Sequence, residues 1–202
     1  MPPVDREEKL SNDESLEQSE MVKELVRSKI EGFSKTDRLV LLILSISNKI
    51  KITRLQKIGL LINAVIQGRV PTSHNAYYFG AFSEDIDDSV TKFSDSSIVN
   101  ATSDGFVLSP YGKSIINQMK ESSNEEDRKV LEVTETIVKA LSKMNDNDVL
   151  ALTYYLFPEF TDDSLIKKEV ERRIQQHGIR GVKAYKFKKE HLDEFINRIE
   201  KN

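Results

Sequence analysis

The sequence predicts a mainly α-helical protein with one small β element, and three observations carry that prediction. Apolar residues recur every three to four positions through most of the chain. One stretch, "SIVNATSDGFVLS", places two short β-prone runs around Ser103, Asp104 and Gly105, a turn suited to a hairpin. At 202 residues, with 38% hydrophobic and 31% charged side chains, the chain is long enough for a substantial core carrying solvated helices.

Residues 1–14 are polar, contain two prolines and lack periodicity, so disorder is expected there. An amphipathic helix follows over 15–33, with Leu16, Leu25, Val26 and Ile30 at helical spacing and a stop near Gly32. "SKTDRLVLLILSIS" starts at a Ser34 or Thr36 cap, carries Asp37 in its first turn and is apolar nearly all round, as a central helix should be. After the short connector "NKIKI", Thr53 is the expected cap of "RLQKIGLLINAVIQG", whose stop is Gly68.

Pro71 opens a loop in which "AYYF" is the one aromatic, strand-like run before Gly80. Ser83 is placed to cap a short helix with Ile86, Val90 and Phe93 facing inward. The hairpin then leads to "PYGKSIINQMK", with Pro110 in the first turn of a helix. Helix, helix, strand, helix, hairpin, helix is the order of a winged helix-turn-helix domain, expected over 34–120.

Residues 121–202 read as a helical region packed on that domain. A helix at about 125–144 carries Leu131, Thr134, Ile137, Val138 and Leu141 along one side. It is long enough to pair with a copy of itself as a homodimer or to fold back, and folding back is favoured because a two-chain seam repeats its apolar residues more strictly. "DNDVLALTYYLF" should be a buried helix stopped by Pro158. "TDDSLIKKEVERRIQQHG" follows, capped by Thr161 or Asp162 and ended by Gly178. A basic connector, "IRGVKAYKFKK", and a last helix, "EHLDEFINRIEKN", complete the reading.

Three of these segments resemble the YwgA-like winged-helix proteins of archaea and bacteria and, more distantly, the Panacea antitoxin domain. Leu55-Gln56-Lys57 matches the Leu-Gln-Lys helix of that group. Phe79-Gly80-Ala81-Phe82-Ser83 matches its Tyr-Gly-Pro-Phe/Tyr-Ser element, with Ala81 where proline is usual. Leu108-Ser109-Pro110-Tyr111-Gly112 matches its Leu-Thr-x-x-Gly signature, with serine for threonine. "YYLFPEFTDDSLI" is similar to a Tyr-Pro-Glu-x-Thr-x-x-Ser segment that follows the wing in some relatives. The resemblance implies a winged-helix fold and an adaptor or antitoxin-like role.

Catalytic groupings are not expected. His74, His177 and His191 are scattered without metal-binding spacing, cysteine is absent, and Gly178-x-x-Gly181 lacks the Gly-Lys-Ser/Thr ending of a phosphate loop. No enzyme activity, cofactor or metal is therefore expected. With no secretory signal and no apolar run near the roughly 20 residues needed to span a bilayer, a cytoplasmic protein without a membrane partner is expected.

Charge is unevenly distributed. Residues 82–106 hold six acids against Lys92, whereas 48–70 hold five bases and no acid, and 165–191 hold nine bases against three acids. The acids Glu84, Asp85, Asp87, Asp88 and Asp95 lie on the helix that would read DNA in a winged helix, where they oppose phosphate contact. A nucleic-acid or nucleoprotein partner would therefore be bound by other faces. One candidate is Lys49, Lys51, Arg54 and Lys57. The other is Arg172, Arg173, Arg180, Lys183, Lys186, Lys188 and Lys189, with Tyr185 and Phe187 interleaved, a strip suited to stacking on single strands. The alternative is a protein partner with a basic surface, held by the acidic helix and hairpin. Nucleic acid is placed slightly ahead, because two basic regions coincide with this fold.

Overall fold

The computed structural model of the chain describes residues 20–177. The amino-terminal segment expected to be disordered, the Gly178 stop, the basic connector and the last helix lie outside the described residues.

Eight helices and one hairpin make up the described part. Helix α1 spans residues 20–31. It is followed by α2 (Lys35–Ser47), α3 (Ile52–Gln67), α4 (Glu84–Asp95), β1 (Val99–Thr102), β2 (Gly105–Leu108), α5 (Pro110–Glu121), α6 (Glu125–Leu141), α7 (Asp146–Leu156) and α8 (Lys167–His177). The architecture is thus mainly helical with a small antiparallel sheet, in which Val99 pairs with Leu108 and Thr102 with Gly105. Among the described residues no helix is long and apolar enough to cross a membrane.

The core is built around α2, which buries every residue from Leu39 to Leu44, in keeping with its all-round apolar sequence. Its start is a capping box: the Ser34 hydroxyl accepts from the Asp37 N–H, and the Asp37 carboxylate accepts from the Ser34 N–H. Asp37 does more than cap. Its carboxylate also accepts from the Ser89 hydroxyl at 2.8 Å and from Lys92 Nζ at 2.7 Å, which fastens α4 to the start of α2. Phe93 meets Phe33 edge-on at 5.4 Å and is fully buried, so the inward stripe of α4 is the expected Ile86, Val90 and Phe93 with Ser89 added. Burying one such large side chain contributes about 1.5–3 kcal/mol.

Helix α6 folds back on α2 and α3, burying Thr134, Ile137, Val138 and Leu141, and α7 packs on α3. One hydrophobic core therefore runs from Val26 to Val170.

Four local expectations are corrected. Helix α3 starts at Ile52 behind Lys51, which makes no side-chain cap, so Thr53 lies inside the first turn. "NKIKI" is more than a connector: Ile50 exchanges both backbone hydrogen bonds with Phe106, at 3.1 and 2.8 Å, and adds an antiparallel bridge to the hairpin. "AYYF" is a turn rather than a strand. Helix α8 starts at Lys167, so Thr161 and Asp162 lie in the turns before it; Thr161 instead hydrogen-bonds back to the Pro158 carbonyl.

Candidate interaction surface

Gln56 and Lys57 of α3 hold one loop, residues 71–83, between α3 and α4. Gln56, buried on α3, pairs through its amide with the backbone of Ser83: Nε2 donates to the Ser83 carbonyl at 3.0 Å, and the Ser83 N–H donates to Oε1 at 2.8 Å. Lys57 is 4% exposed and its Nζ donates to the Ala81 carbonyl at 2.6 Å. Ser83 sits at the N-cap position of α4, yet its side chain makes no cap bond; Gln56 satisfies its backbone instead. The expected capping role of Ser83 is corrected accordingly.

The loop closes like a hairpin. Asn75 and Phe82 exchange both backbone bonds, and Tyr77 and Gly80 do the same across a tight turn. Gly80 has φ +82, and a Cβ there would lie 2.5 Å from the Tyr154 ring, so both backbone and space require glycine. The segment after α7 braces the far side. Tyr154 and Ser164 hydrogen-bond through their hydroxyls, and the Leu165 N–H donates to the Tyr78 carbonyl at 3.0 Å. At the third motif, Ser109 caps α5 by accepting from the Gly112 N–H, and its hydroxyl donates to the Ser97 carbonyl; a Cβ on Gly112 would run into the Ile98 carbonyl.

Burial sets the electrostatics beneath the loop. It pushes the Lys57 ammonium down to about 8. His74 is also buried and is pushed down to about 4, first by burial and then by the nearby Lys57 charge, so its ring is neutral at physiological pH.

Outside, α4 turns Glu84, Asp85, Asp87, Asp88 and Asp95 to solvent, each without an ion pair among the described residues. Lys92, the one base on this helix, is held by Asp37 and lies over the Phe33 ring. The acidic candidates thus all lie on the exposed side of α4.

Of the first basic candidate patch, Lys49, Lys51 and Arg54 line one pocket together with Asp104 and Asp146, and Lys57 lies apart from them. Lys57 is buried against Ala81. Arg54 uses its guanidinium to hold the α6–α7 junction, donating to the Leu141 and Met144 carbonyls at 2.6 and 3.0 Å and to Asp146 at 3.0 Å. Lys49 and Lys51 stay exposed but face Asp104 at 3.3 Å and Asp146 at 3.4 Å. In the second patch, Arg172 pairs with Glu169 and Arg173 with Asp148. Arg180, Lys183, Tyr185, Lys186, Lys188 and Lys189 lie outside the described residues.

Two structural features escape the sequence: the burial of Lys57 and the outward position of Tyr77, Tyr78 and Phe79. A signal for the first existed. Lys57 stands three, four and seven positions before Leu60, Leu61 and Ala64, on a second apolar face of α3. Among the described residues there is no group of acidic, histidine or cysteine side chains placed to hold a metal. Comparison with protein-family models, curated proteins and solved structures gives no match to this chain.

Proposed function

We propose that this protein is a winged-helix factor, without catalysis of its own, that docks on a basic protein surface through the exposed face of α4 and the adjoining hairpin. The winged-helix reading is supported by the order α2, α3, α4, β1, β2 and by the Ile50–Phe106 bridge, which supplies the third, short strand such a domain places between its first two helices. The YwgA-like resemblance points the same way, and residues of two of its motifs, Gln56 and Lys57 on α3 and Ala81 and Ser83 before α4, are joined by hydrogen bonds.

The observation that carries the functional reading is the charge of α4. It occupies the position of a recognition helix, yet presents five carboxylates outward while its one lysine is drawn to Asp37. Phosphate contact is the main favourable term in DNA binding, and this face opposes it. The same charges favour a partner rich in lysine and arginine, through steering and register. Arg54 and Lys57 have structural tasks, which weakens the nucleic-acid alternative and puts protein ahead of it.

The test compares wild-type protein with Asp87→Asn/Asp88→Asn in two assays. The first is crosslinking capture of protein partners from cells; the second is binding of duplex DNA, single-stranded DNA and RNA at about 50 and 200 mM salt, the range where phosphate contacts reveal themselves. A protein partner lost by the double variant supports the proposal. Tight, salt-sensitive nucleic-acid binding that the double variant retains overturns it.

A further inference from the structure

The loop that α3 braces ends in three consecutive exposed aromatic residues. Tyr77, Tyr78 and Phe79 are 46%, 52% and 49% exposed, and Leu165, tied to the same turn through the Tyr78 carbonyl, is 75% exposed. An isolated exposed apolar side chain needs no explanation, but a contiguous group of large ones on a soluble fold marks a binding surface.

This tip is rigidly mounted. The backbone of residues 75–83 is held by the Asn75–Phe82 and Tyr77–Gly80 pairs, by Lys57 on Ala81 and by Gln56 on Ser83. The rings of Tyr77 and Tyr78 lie 4.6 Å apart, and Tyr77 also leans on Phe82 at 5.0 Å. A patch organised in this way loses little conformational entropy on binding, the property that makes Tyr-rich anchors effective.

Its surroundings point to the partner. Glu84 and Asp85 begin α4 just beyond the loop, and Asp163 is exposed next to Ser164 and Leu165 in the chain. No lysine or arginine lies over the Tyr77, Tyr78 or Phe79 rings among the described residues; the cation–ring contacts found there use Phe33, Phe93 and Tyr111. Half-exposed aromatic rings with carboxylates nearby in the chain suit the planar guanidinium, which stacks on a ring while its N–H groups reach acids. The same carboxylates repel nucleic acid and anionic lipid.

We propose that Tyr77, Tyr78, Phe79 and Leu165 form the anchor of the docking face, and that it takes an arginine-bearing protein segment whose remaining positive charge lies along α4. This inference rests on the proposed role of α4 and adds the anchor and the chemistry of the partner.

The experiment uses the full chain and a fluorescein-labelled peptide of alternating arginine and alanine, with glutamine replacing arginine in a control, followed by fluorescence anisotropy over a salt series. Wild type should bind the arginine peptide and not the control. Tyr78→Ser/Phe79→Ser should lose about tenfold or more in affinity while keeping the salt dependence, as expected when an aromatic anchor is removed. Asp87→Asn/Asp88→Asn should instead weaken binding mainly at low salt and flatten that dependence. Both replaced rings are exposed, so the thermal midpoint of the first variant should match wild type, and Tyr78→Phe should retain binding. Unchanged affinity in Tyr78→Ser/Phe79→Ser overturns the anchor and leaves the role of α4 standing. Unchanged affinity in both double variants, or no binding by wild type, overturns both. Preference for an oligo-dT strand or an anionic vesicle overturns the assigned partner. So does a wild-type dimer that Tyr78→Ser/Phe79→Ser dissolves.

Discussion

Lys57 Nζ lies 2.6 Å from the carbonyl oxygen of Ala81, with 4% of the lysine exposed. A cation from the centre of α3 thereby fixes the backbone of the loop that leads into α4. The stem fills core space, while the ammonium gives a buried carbonyl its donor.

This position ties stability to alkaline pH. Burial lowers Lys57 from its ordinary 10.5 to about 8, so between those values the unfolded chain binds more protons than the folded one. Stability should therefore rise as pH increases from about 8 towards 10.5, as Lys57 loses a charge that is costly to bury. Urea unfolding of wild type and Lys57→Met across this range checks it: the difference between the two should change with pH in that window and stay flat below it.

His74 acts at the other end of the scale. Lowered from 6.5 to about 4 by burial and by Lys57, it must be neutral in the fold, whereas the unfolded chain protonates it readily below 6.5. Stability should fall as pH drops from 6.5 towards 4, with His74 accounting for no more than about 3 kcal/mol of the loss. His74→Gln should remove that dependence in unfolding curves, and the His74 imidazole resonance should not titrate above about pH 5 in the folded protein.

Asp37 and Lys92 make an asymmetric pair, because the acid is buried and the lysine side chain is half exposed. Burial alone would raise the Asp37 carboxyl. The bonds from Lys92, the Ser34 N–H and the Ser89 hydroxyl together outweigh burial and lower it, so its contribution is present above the ordinary carboxylate range and is lost as pH falls through its folded value. Asp37→Asn should cost about 2–4 kcal/mol by chemical denaturation, since it strips several buried bonds at once. Lys92→Met should cost about 0.5–1.5 kcal/mol, because its ammonium reaches water.

Gly80→Ala tests the mounting of the aromatic tip. At φ +82 an L residue is strained by about 1–2 kcal/mol, and its Cβ would press on the Tyr154 ring. The variant should become sensitive to limited chymotrypsin cleavage after Tyr77, Tyr78 or Phe79, where wild type resists because its turn is held by backbone bonds on both sides. Equal cleavage rates would contradict the rigid mounting.

The helical architecture was legible because its signals are local. Residues three and four apart on α2, α4 and α6 share a face, so the positions of Leu39, Ile86, Val90, Phe93 and Ile137 followed from spacing. The Asp104-Gly105 turn and the flanking β-prone runs marked the hairpin for the same reason. The acidic face of α4 was readable too, since once Ile86, Val90 and Phe93 face the core the acids between them must face water. Local preference misled at Ser83, whose hydroxyl makes no cap bond and whose own backbone N–H and carbonyl are instead paired by Gln56, 27 positions away.

Sequence alone thus determined where the helices and hairpin lie and which side of α4 carries charge, because periodicity and turn chemistry act over a few residues. Tertiary structure decided which charges are available. Lys57 meets Ala81 across 24 positions, and Arg54 meets Leu141 across 87. It also decided that Ile50 joins the hairpin and that Tyr77, Tyr78 and Phe79 point outward. Whether a lysine touches water or a buried carbonyl depends on chain-distant packing, which no local pattern encodes.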